Sequence, residues 1–201
     1  MHRYTGGFPF EEPEWVQLVV SDPEGAERAA QQIADRGGEE DPQYAEAVYP
    51  ELRTVQERAA ERGAAPVAVY VPDVRPAAPP LVPATAFMML QEPPEAGRTL
   101  DALSALAREP RGYRLQEPEV RTVELPLGPA CRVRELAYDG ETADGREVLV
   151  EYLTHHVLSP VFPEGVVEFT VSWTPLALGP AMLETADEMA AGLTLSAGRD
   201  G

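Results

Sequence analysis

Two segments near the end of the chain alternate apolar and polar residues, and they constrain the fold more than any other feature. They span residues 146–158 and 166–174, and a period of two is typical of β-strands with one buried face. After Pro180 the period becomes helical. The apolar stripe of this last helix consists of Met182, Leu183, Ala186, Met189, Ala190 and Leu193. The pattern predicts an antiparallel hairpin whose apolar face is covered by a C-terminal amphipathic helix.

Shorter patterns upstream predict further strands and helices. Strands are expected over residues 15–20, 67–71, 85–91, 120–125 and 130–138. Helices are expected from a cap at Ser21 to Gly37-Gly38, from Asp41 to Gly63, and from Leu100 to Arg108. The fold class is therefore α+β, with an antiparallel sheet flanked by helices.

The domain organisation depends on the proline-rich connection over residues 73–83. This connection suits a boundary between two domains, but the second helix and the strand after it need a shared face to bury. We therefore expect a single domain over residues 1–201. Its N-terminal section, residues 1–64, holds one strand and two helices, and residues 65–195 hold the sheet and the closing helix.

Residue pairing within the two hairpins follows from charge and pattern. In the first, Val123 is expected opposite Val133 and Leu125 opposite Cys131, because a shift by one residue would place two arginines opposite each other. In the second, pairing Leu158 with Gly165 is expected to keep Val148, Val150 and Tyr152 on the face of Phe169, Val171 and Trp173. The same pairing places His155 opposite Glu168, where a carboxylate is expected to raise the histidine pKa.

Charge restricts the classes of partner. The chain has 16 basic residues, all arginine, and 34 acidic residues, so its net charge is −18. This charge repels nucleic acids and anionic membranes, so neither is an expected partner, and it favours encounter with a basic protein or a cation. The N-terminus has no apolar signal segment and no stretch is long enough to span a bilayer. The expected location is the cytoplasm.

The chain contains few residues that could carry chemistry. Cys131 is the only cysteine, which excludes an intrachain disulfide and a cysteine zinc site, and its place on an apolar face predicts a buried, unreactive thiol. Motifs for metal or phosphate binding are absent, so no metal and no cofactor is expected. If the chain has a polar functional site, its residues are expected to be Glu151, His155 and Glu168, on one strand face and its neighbour.

The last strand and helix resemble a known family. The run from Val166 to Pro175, followed by the helix from Met182 to Leu195, is similar to the closing strand and helix of the PsbP-like fold, and the likeness extends over roughly residues 85–195. The resemblance implies an antiparallel sheet between helices, an α/β/α sandwich. Members of this family are mostly adaptor and assembly factors without catalytic residues, and the actinobacterial ones include secreted lipoproteins and cytoplasmic proteins.

Three functions remain open at this point. The first is a non-catalytic protein-binding module, that is, an adaptor, a chaperone or an immunity-type protein. The second is a small-molecule binder or enzyme that uses a cavity between sheet and helices. The third is a structural subunit of a larger assembly. A pocket with convergent polar groups favours the second, whereas an exposed apolar patch favours the first or third.

Overall fold

A computed structural model describes residues 3–10, 13–36, 41–141, 145 and 147–198. Its helices are α1 (Gly25–Ala34), α2 (Pro42–Arg62), α3 (Leu100–Arg108) and α4 (Gly179–Ala191). Its strands are β1 (Arg3–Gly7), β2 (Trp15–Leu18), β3 (Val67–Tyr70), β4 (Ala84–Gln91), β5 (Glu119–Leu125), β6 (Gly128–Glu141), β7 (Glu147–Val157), β8 (Val166–Trp173) and β9 (Thr194–Gly198). The chain is therefore an α+β protein, as the sequence predicts.

The chain forms two compact units. One consists of residues 10–89, and the other of the segment ending at Pro9 together with the chain from Leu90 onwards. This division falls well after the predicted junction at residues 64–65. The expectation that residues 1–201 fold as one domain stays a prediction.

The unit formed by residues 10–89 packs α1 and α2 on a short antiparallel sheet in the order β2, β3, β4. Helix α2 begins and ends where the sequence predicts. The Asp41 carboxylate accepts a hydrogen bond from the Tyr44 backbone N–H at 3.0 Å, and Gly63 ends the helix in the left-handed region at φ 67°. Both are standard ways of satisfying backbone groups at helix ends.

Helix α1 begins differently from the prediction. The expected cap at Ser21 is wrong, because the helix starts at Gly25. A side chain of α2 binds the backbone of its first turn. The side chain of Gln56 in α2 accepts a hydrogen bond from the Ala26 N–H at 3.2 Å and donates to the Val19 carbonyl at 3.3 Å. The expected end at Gly37-Gly38 lies outside the described residues.

The second unit is a sheet between helices. Its strands pair antiparallel in the order β8, β7, β6, β5, with α3 packed against β5 and β6 and α4 against β7 and β8. Strands β1 and β9 pair separately. The predicted C-terminal helix packed on the sheet is confirmed, since Met182, Ala186 and Met189 of α4 are buried. No helix among the described residues is both long and apolar enough to cross a bilayer.

The predicted pairing of β5 with β6 is wrong. Val120 lies opposite Val133 and Thr122 opposite Cys131, because the turn contains two residues, Pro126 and Leu127, rather than the four expected. Arg121 consequently lies opposite Arg132, a like-charged pair of the kind that the prediction avoided. Carboxylates compensate for it: Glu119 contacts Arg121 at 2.5 Å, and a second carboxylate binds Arg132, as described below.

The predicted pairing of β7 with β8 is wrong by one residue. Val157 lies opposite Val167, and Leu158 donates its N–H to the Pro129 carbonyl of β6 at 2.9 Å. The side chain of Arg98 holds the following loop through the Ser159 and Gly165 carbonyls. A slip of one residue exchanges the two faces of a strand. Val148, Val150 and Tyr152 therefore lie on the opposite face from Phe169, Val171 and Trp173.

Candidate functional site

The sheet face that packs against α4 carries a row of polar side chains. Residues directly opposite each other in paired strands share a face, so Arg132 and Arg134 of β6 lie beside His155 and Glu151 of β7 on this face. His155 is 1% exposed and Glu151 is 6% exposed. Charged and polar groups at this depth require partners, and the structure provides them in two clusters.

The first cluster surrounds Glu151. Arg134 contacts one carboxylate oxygen, with its Nε at 2.6 Å from Oε1, and the indole N–H of Trp173 donates to Oε2 at 3.0 Å. Gly179, the first residue of α4, lies above this carboxylate, and a Cβ at that position would lie 3.2 Å from Oε2. A glycine there leaves room for the buried carboxylate beneath the start of the helix.

The second cluster joins α4 to the sheet. Arg132 donates from Nε and Nη2 to the two oxygens of Asp187 in α4, both at 2.9 Å. The same carboxylate lies 3.0 Å from Nε2 of His155. Burial acts to raise the pKa of Asp187, but the hydrogen bonds and charge of Arg132, followed by His155, lower it below its usual value. Asp187 is therefore an anion that is bound by Arg132 and His155 of the sheet.

The histidine in this cluster is neutral at physiological pH. Burial, and secondarily the charge of Arg132, lower the pKa of His155 to about 4 against the opposing effect of Asp187. The neutral ring donates its proton from Nε2 to Asp187, which leaves Nδ1 as a bare acceptor. Nδ1 is buried and has no hydrogen-bond partner among the described residues. The hydrogen bond from this imidazole to Asp187 joins β7 to α4.

Glu168 lies apart from the other two expected site residues. It is opposite His156, on the face that packs against α3, while His155 lies opposite Phe169. The predicted His155–Glu168 pair is therefore wrong, and so is the raised pKa expected for His155. Nδ1 of His156 lies 3.7 Å from Oε2 of Glu168, and burial lowers the pKa of His156 to about 4. The structure brings Glu151 and His155 to one face and Glu168 to the other.

The remaining candidate residue, Cys131, is fully buried on the α3 side of the sheet. Its Sγ lies 3.5 Å from the Ser104 hydroxyl of α3. The predicted burial is confirmed, although the neighbour is Thr122 rather than Leu125; its low reactivity stays a prediction. Among the described residues, no group of three or more histidine, cysteine, aspartate and glutamate side chains is arranged to hold a metal ion.

Sequence reasoning missed Arg132, Arg134, Trp173 and Asp187 as members of this row. Two of the contacts join residues 55 and 32 positions apart, which no local pattern encodes. One signal was available: Asp187 lies directly beside the apolar stripe of α4, between Ala186 and Met189. A carboxylate at the border of a buried stripe indicates a cationic or hydrogen-bonding partner on the surface that the helix covers.

A second feature of this face is an exposed apolar patch. Residues 113–115 pair with residues 136–138 of β6 through a bridge between Arg114 and Ala137. Tyr113 and Leu115 therefore share a face with Leu136, Tyr138 and the Leu149 of β7 that lies opposite Tyr138. These five residues are the tyrosine patch. Tyr113, Leu115 and Tyr138 are 44%, 48% and 37% exposed, which is unusual for three large apolar neighbours.

Comparison with known proteins finds a structural likeness at low sequence identity. No protein-family model matches the chain, and no curated protein matches it. Among solved structures, the crystal structure of LpqN, involved in cell envelope biogenesis of Mycobacterium tuberculosis, has a TM-score of 0.49 and 13% sequence identity. That match covers 97% of this chain and 85% of LpqN. None of these comparisons shows the PsbP-like family, so that assignment stays a prediction.

Proposed function

We propose that this chain is a non-catalytic protein-binding module of the PsbP-like kind, a cytoplasmic adaptor, chaperone or immunity-type protein. The observation that carries the proposal is the tyrosine patch, where Tyr113, Leu115 and Tyr138 are exposed side by side. Exposed aromatic side chains supply large contact areas and polar hydroxyl tips, and they dominate the energetics of many protein interfaces.

The polar row supports a binding role over an enzymatic one. Both oxygens of Glu151 accept hydrogen bonds, from Arg134 and from Trp173. His155 is neutral and donates to Asp187, which Arg132 also binds. These contacts hold α4 against the sheet and make the sheet next to the tyrosine patch rigid. A rigid binding surface lowers the conformational entropy cost of binding a partner.

The net charge supports a basic partner. At −18, the chain attracts cationic proteins over distances comparable to the Debye length of about 8 Å at physiological salt. The apolar patch then provides the short-range contact. Binding of this kind is expected to weaken as ionic strength rises, mainly through slower association.

The test compares partner retention by the wild-type chain and by two patch variants, Leu115→Ser and Tyr138→Ser, from an extract of the native host. The matched control is Val74→Ser, because Val74 is the most exposed large apolar side chain that the structure describes, at 88%, and lies in the other unit. We expect quantitative mass spectrometry to find a basic protein retained by the wild type and by Val74→Ser and lost from both patch variants. Equal retention by all four chains would contradict the proposal.

A further inference from the structure

Strand β5 is the last strand in the order β8, β7, β6, β5. At seven residues, it is longer than the short edge strands that proteins commonly use to avoid pairing with other chains. The hydrogen bonds of its partner β6 show which of its backbone groups point outward. Tyr138 N–H donates to Tyr113 C=O, and Leu115 N–H donates to Leu136 C=O, both at 2.9 Å. Even-numbered residues of β6 therefore bond toward the β5 side.

The β5 residues opposite those even-numbered positions bond inward, and the residues between them bond outward. The inward residues are Glu119, Arg121 and Val123. The outward residues are Val120, Thr122 and Glu124. Their N–H and C=O groups face away from the sheet, where a further strand would pair with them.

Two opposite charges lie along this edge without a charged partner. Arg108 of α3 contacts the Ser104 carbonyl at 3.3 Å and the outward Val120 carbonyl at 3.4 Å, and it meets no carboxylate in the described part of the chain. Glu124 is exposed, and its carboxylate has no hydrogen bond or ion pair with a described residue. The two do not contact each other, because Val120 and Glu124 are roughly 14 Å apart along the strand.

A second copy of this chain would bring these two charges together. Thr122 is the middle residue of β5, with Val120 two residues before it and Glu124 two residues after it. If two β5 strands pair antiparallel about a two-fold axis at Thr122, Val120 of each copy lies opposite Glu124 of the other. Helix α3 packs on the face that carries Val120, so the Arg108 of each copy would meet the Glu124 of the other copy on that face.

Hydrogen bonding and charge both favour this register over its neighbours. Pairing centred on Thr122 forms two backbone hydrogen bonds at each of three pairs of outward residues, and it uses the full length of β5. Centring the pair on Arg121 would place two arginines opposite each other, and centring it on Glu124 would oppose two glutamates, which is unfavourable. Other shifts shorten the paired segment.

The net charge of −18 opposes self-association at long range. At physiological salt the Debye length is about 8 Å, so exposed charges farther apart than this are largely screened. The exposed Arg121 of this edge is bound to Glu119 at 2.5 Å, which compensates its charge. We therefore expect the contacts along β5 to determine whether two copies associate at this salt.

We propose that two copies of this chain associate through β5, with the two strands antiparallel about a two-fold axis at Thr122. The outward backbone groups of Val120, Thr122 and Glu124 pair across the junction. Each Arg108 releases the Val120 carbonyl and binds Glu124 of the other copy. This self-association surface is separate from the tyrosine patch and goes beyond the proposed function.

The decisive variants each reverse one charge, Arg108→Glu and Glu124→Arg. Sedimentation equilibrium at physiological salt measures association over about 10 µM to about 1 mM protein, the range of weak dissociation constants. We expect the wild type to form a dimer in this range. Each variant should associate with itself about tenfold more weakly, because it places like charges at both contacts.

Mixing the two variants distinguishes the proposed contact from a general disturbance of the fold. In a dimer of one Arg108→Glu chain with one Glu124→Arg chain, both contacts join a glutamate to an arginine. We therefore expect the equimolar mixture to form dimers as the wild type does. A mixture that associates no better than the separate variants would overturn the proposal, and so would a wild type that stays monomeric up to about 1 mM.

The backbone pairing is tested with Thr122→Pro and its matched control Thr122→Val. Proline removes the outward N–H without removing an inward hydrogen bond, and proline is tolerated at edge positions. Valine keeps the N–H and a similar shape, and neither change alters charge. We expect Thr122→Val to form dimers as the wild type does and Thr122→Pro to associate about tenfold more weakly.

Backbone hydrogen exchange on the wild type gives a measurement that does not depend on any variant folding. The amides of Thr122 and Glu124 should exchange quickly in dilute protein and slow down as the protein concentration rises, while those of Arg121 and Val123 stay slow throughout. Concentration-independent exchange at Thr122 and Glu124 would contradict pairing along β5. A dimer that Thr122→Pro leaves intact and Leu115→Ser abolishes would place the contact at the tyrosine patch and overturn the proposal.

Discussion

Acidification should destabilise this protein through His155, well above the pH at which most carboxylates titrate. Burial lowers the pKa of this histidine from 6.5 to about 4, so the folded protein resists a proton that the unfolded chain accepts. The stability associated with the neutral ring is fully present above pH 6.5 and is lost as the pH falls toward 4. This direction follows from proton linkage, since the unfolded state binds more protons in that range.

The magnitude follows from the two pKa values. One pH unit corresponds to about 1.4 kcal/mol, so the loss in the free energy of unfolding should reach roughly 2 kcal/mol at pH 5 and roughly 3 kcal/mol at pH 4. His156 has a similarly lowered pKa and adds its own loss. The His156→Gln background therefore isolates the contribution of His155.

The assay is urea unfolding followed by circular dichroism at pH 7, 6 and 5, in the His156→Gln background with and without His155→Gln. Replacing His155 also removes a hydrogen bond to Asp187, which lowers stability at every pH. The quantity compared is therefore the loss in the free energy of unfolding between pH 7 and pH 5, and we expect this loss to be smaller by roughly 2 kcal/mol in the double variant. Equal losses in the two proteins, or a His155 titration midpoint near 6.5 by NMR, would refute the reasoning.

Three further predictions concern the pairing and packing of the second unit. Glu168→Gln should lower the pKa of His156 in an NMR titration and leave that of His155 unchanged, because only His156 lies opposite Glu168. Cys131 should react with a thiol reagent only as fast as the protein opens, and rapid stoichiometric labelling of the native protein would contradict its burial. Deleting residues 179–201 should leave the chain unfolded or insoluble, because each buried Leu or Met side chain contributes roughly 1.5–3 kcal/mol; a cooperative, near-normal melting transition of the truncated chain would contradict this.

The sequence predicts elements better than it predicts pairing. Helix α3 has the predicted ends, with the Thr99 hydroxyl accepting from the Ala102 N–H, and α2 starts at its aspartate cap. These ends depend on side chains within one turn of the helix. By contrast, the start of α1 depends on Gln56, about thirty residues away, and no local rule identifies that contact.

The two hairpins differ from the predicted pairing for different reasons: the β5–β6 turn is shorter than expected, and in β7 polarity does not identify the exposed face. Polarity predicts that Glu151, His155 and Arg132 lie on an exposed face and that their apolar neighbours lie on the buried one. In the fold, Glu151 and His155 are buried and Arg132 is half-buried. Their partners are distant in sequence, such as Trp173 for Glu151 and Asp187 for the other two. A sequence does not distinguish polar residues that become buried and paired from polar residues that stay solvated. The faces of a strand therefore cannot be assigned from polarity alone.

The pairing of β1 with β9 determines the order in which the two units can fold during synthesis. These strands join Arg3 to Gly198, whereas residues 10–89 form a unit that is contiguous in sequence. On the ribosome, the contiguous unit has all its residues available while much of the sheet of the other unit is still untranslated. Strand β1 has no partner until residues 194–198 have emerged, so we expect its pairing to be among the last steps in the folding of this unit during translation.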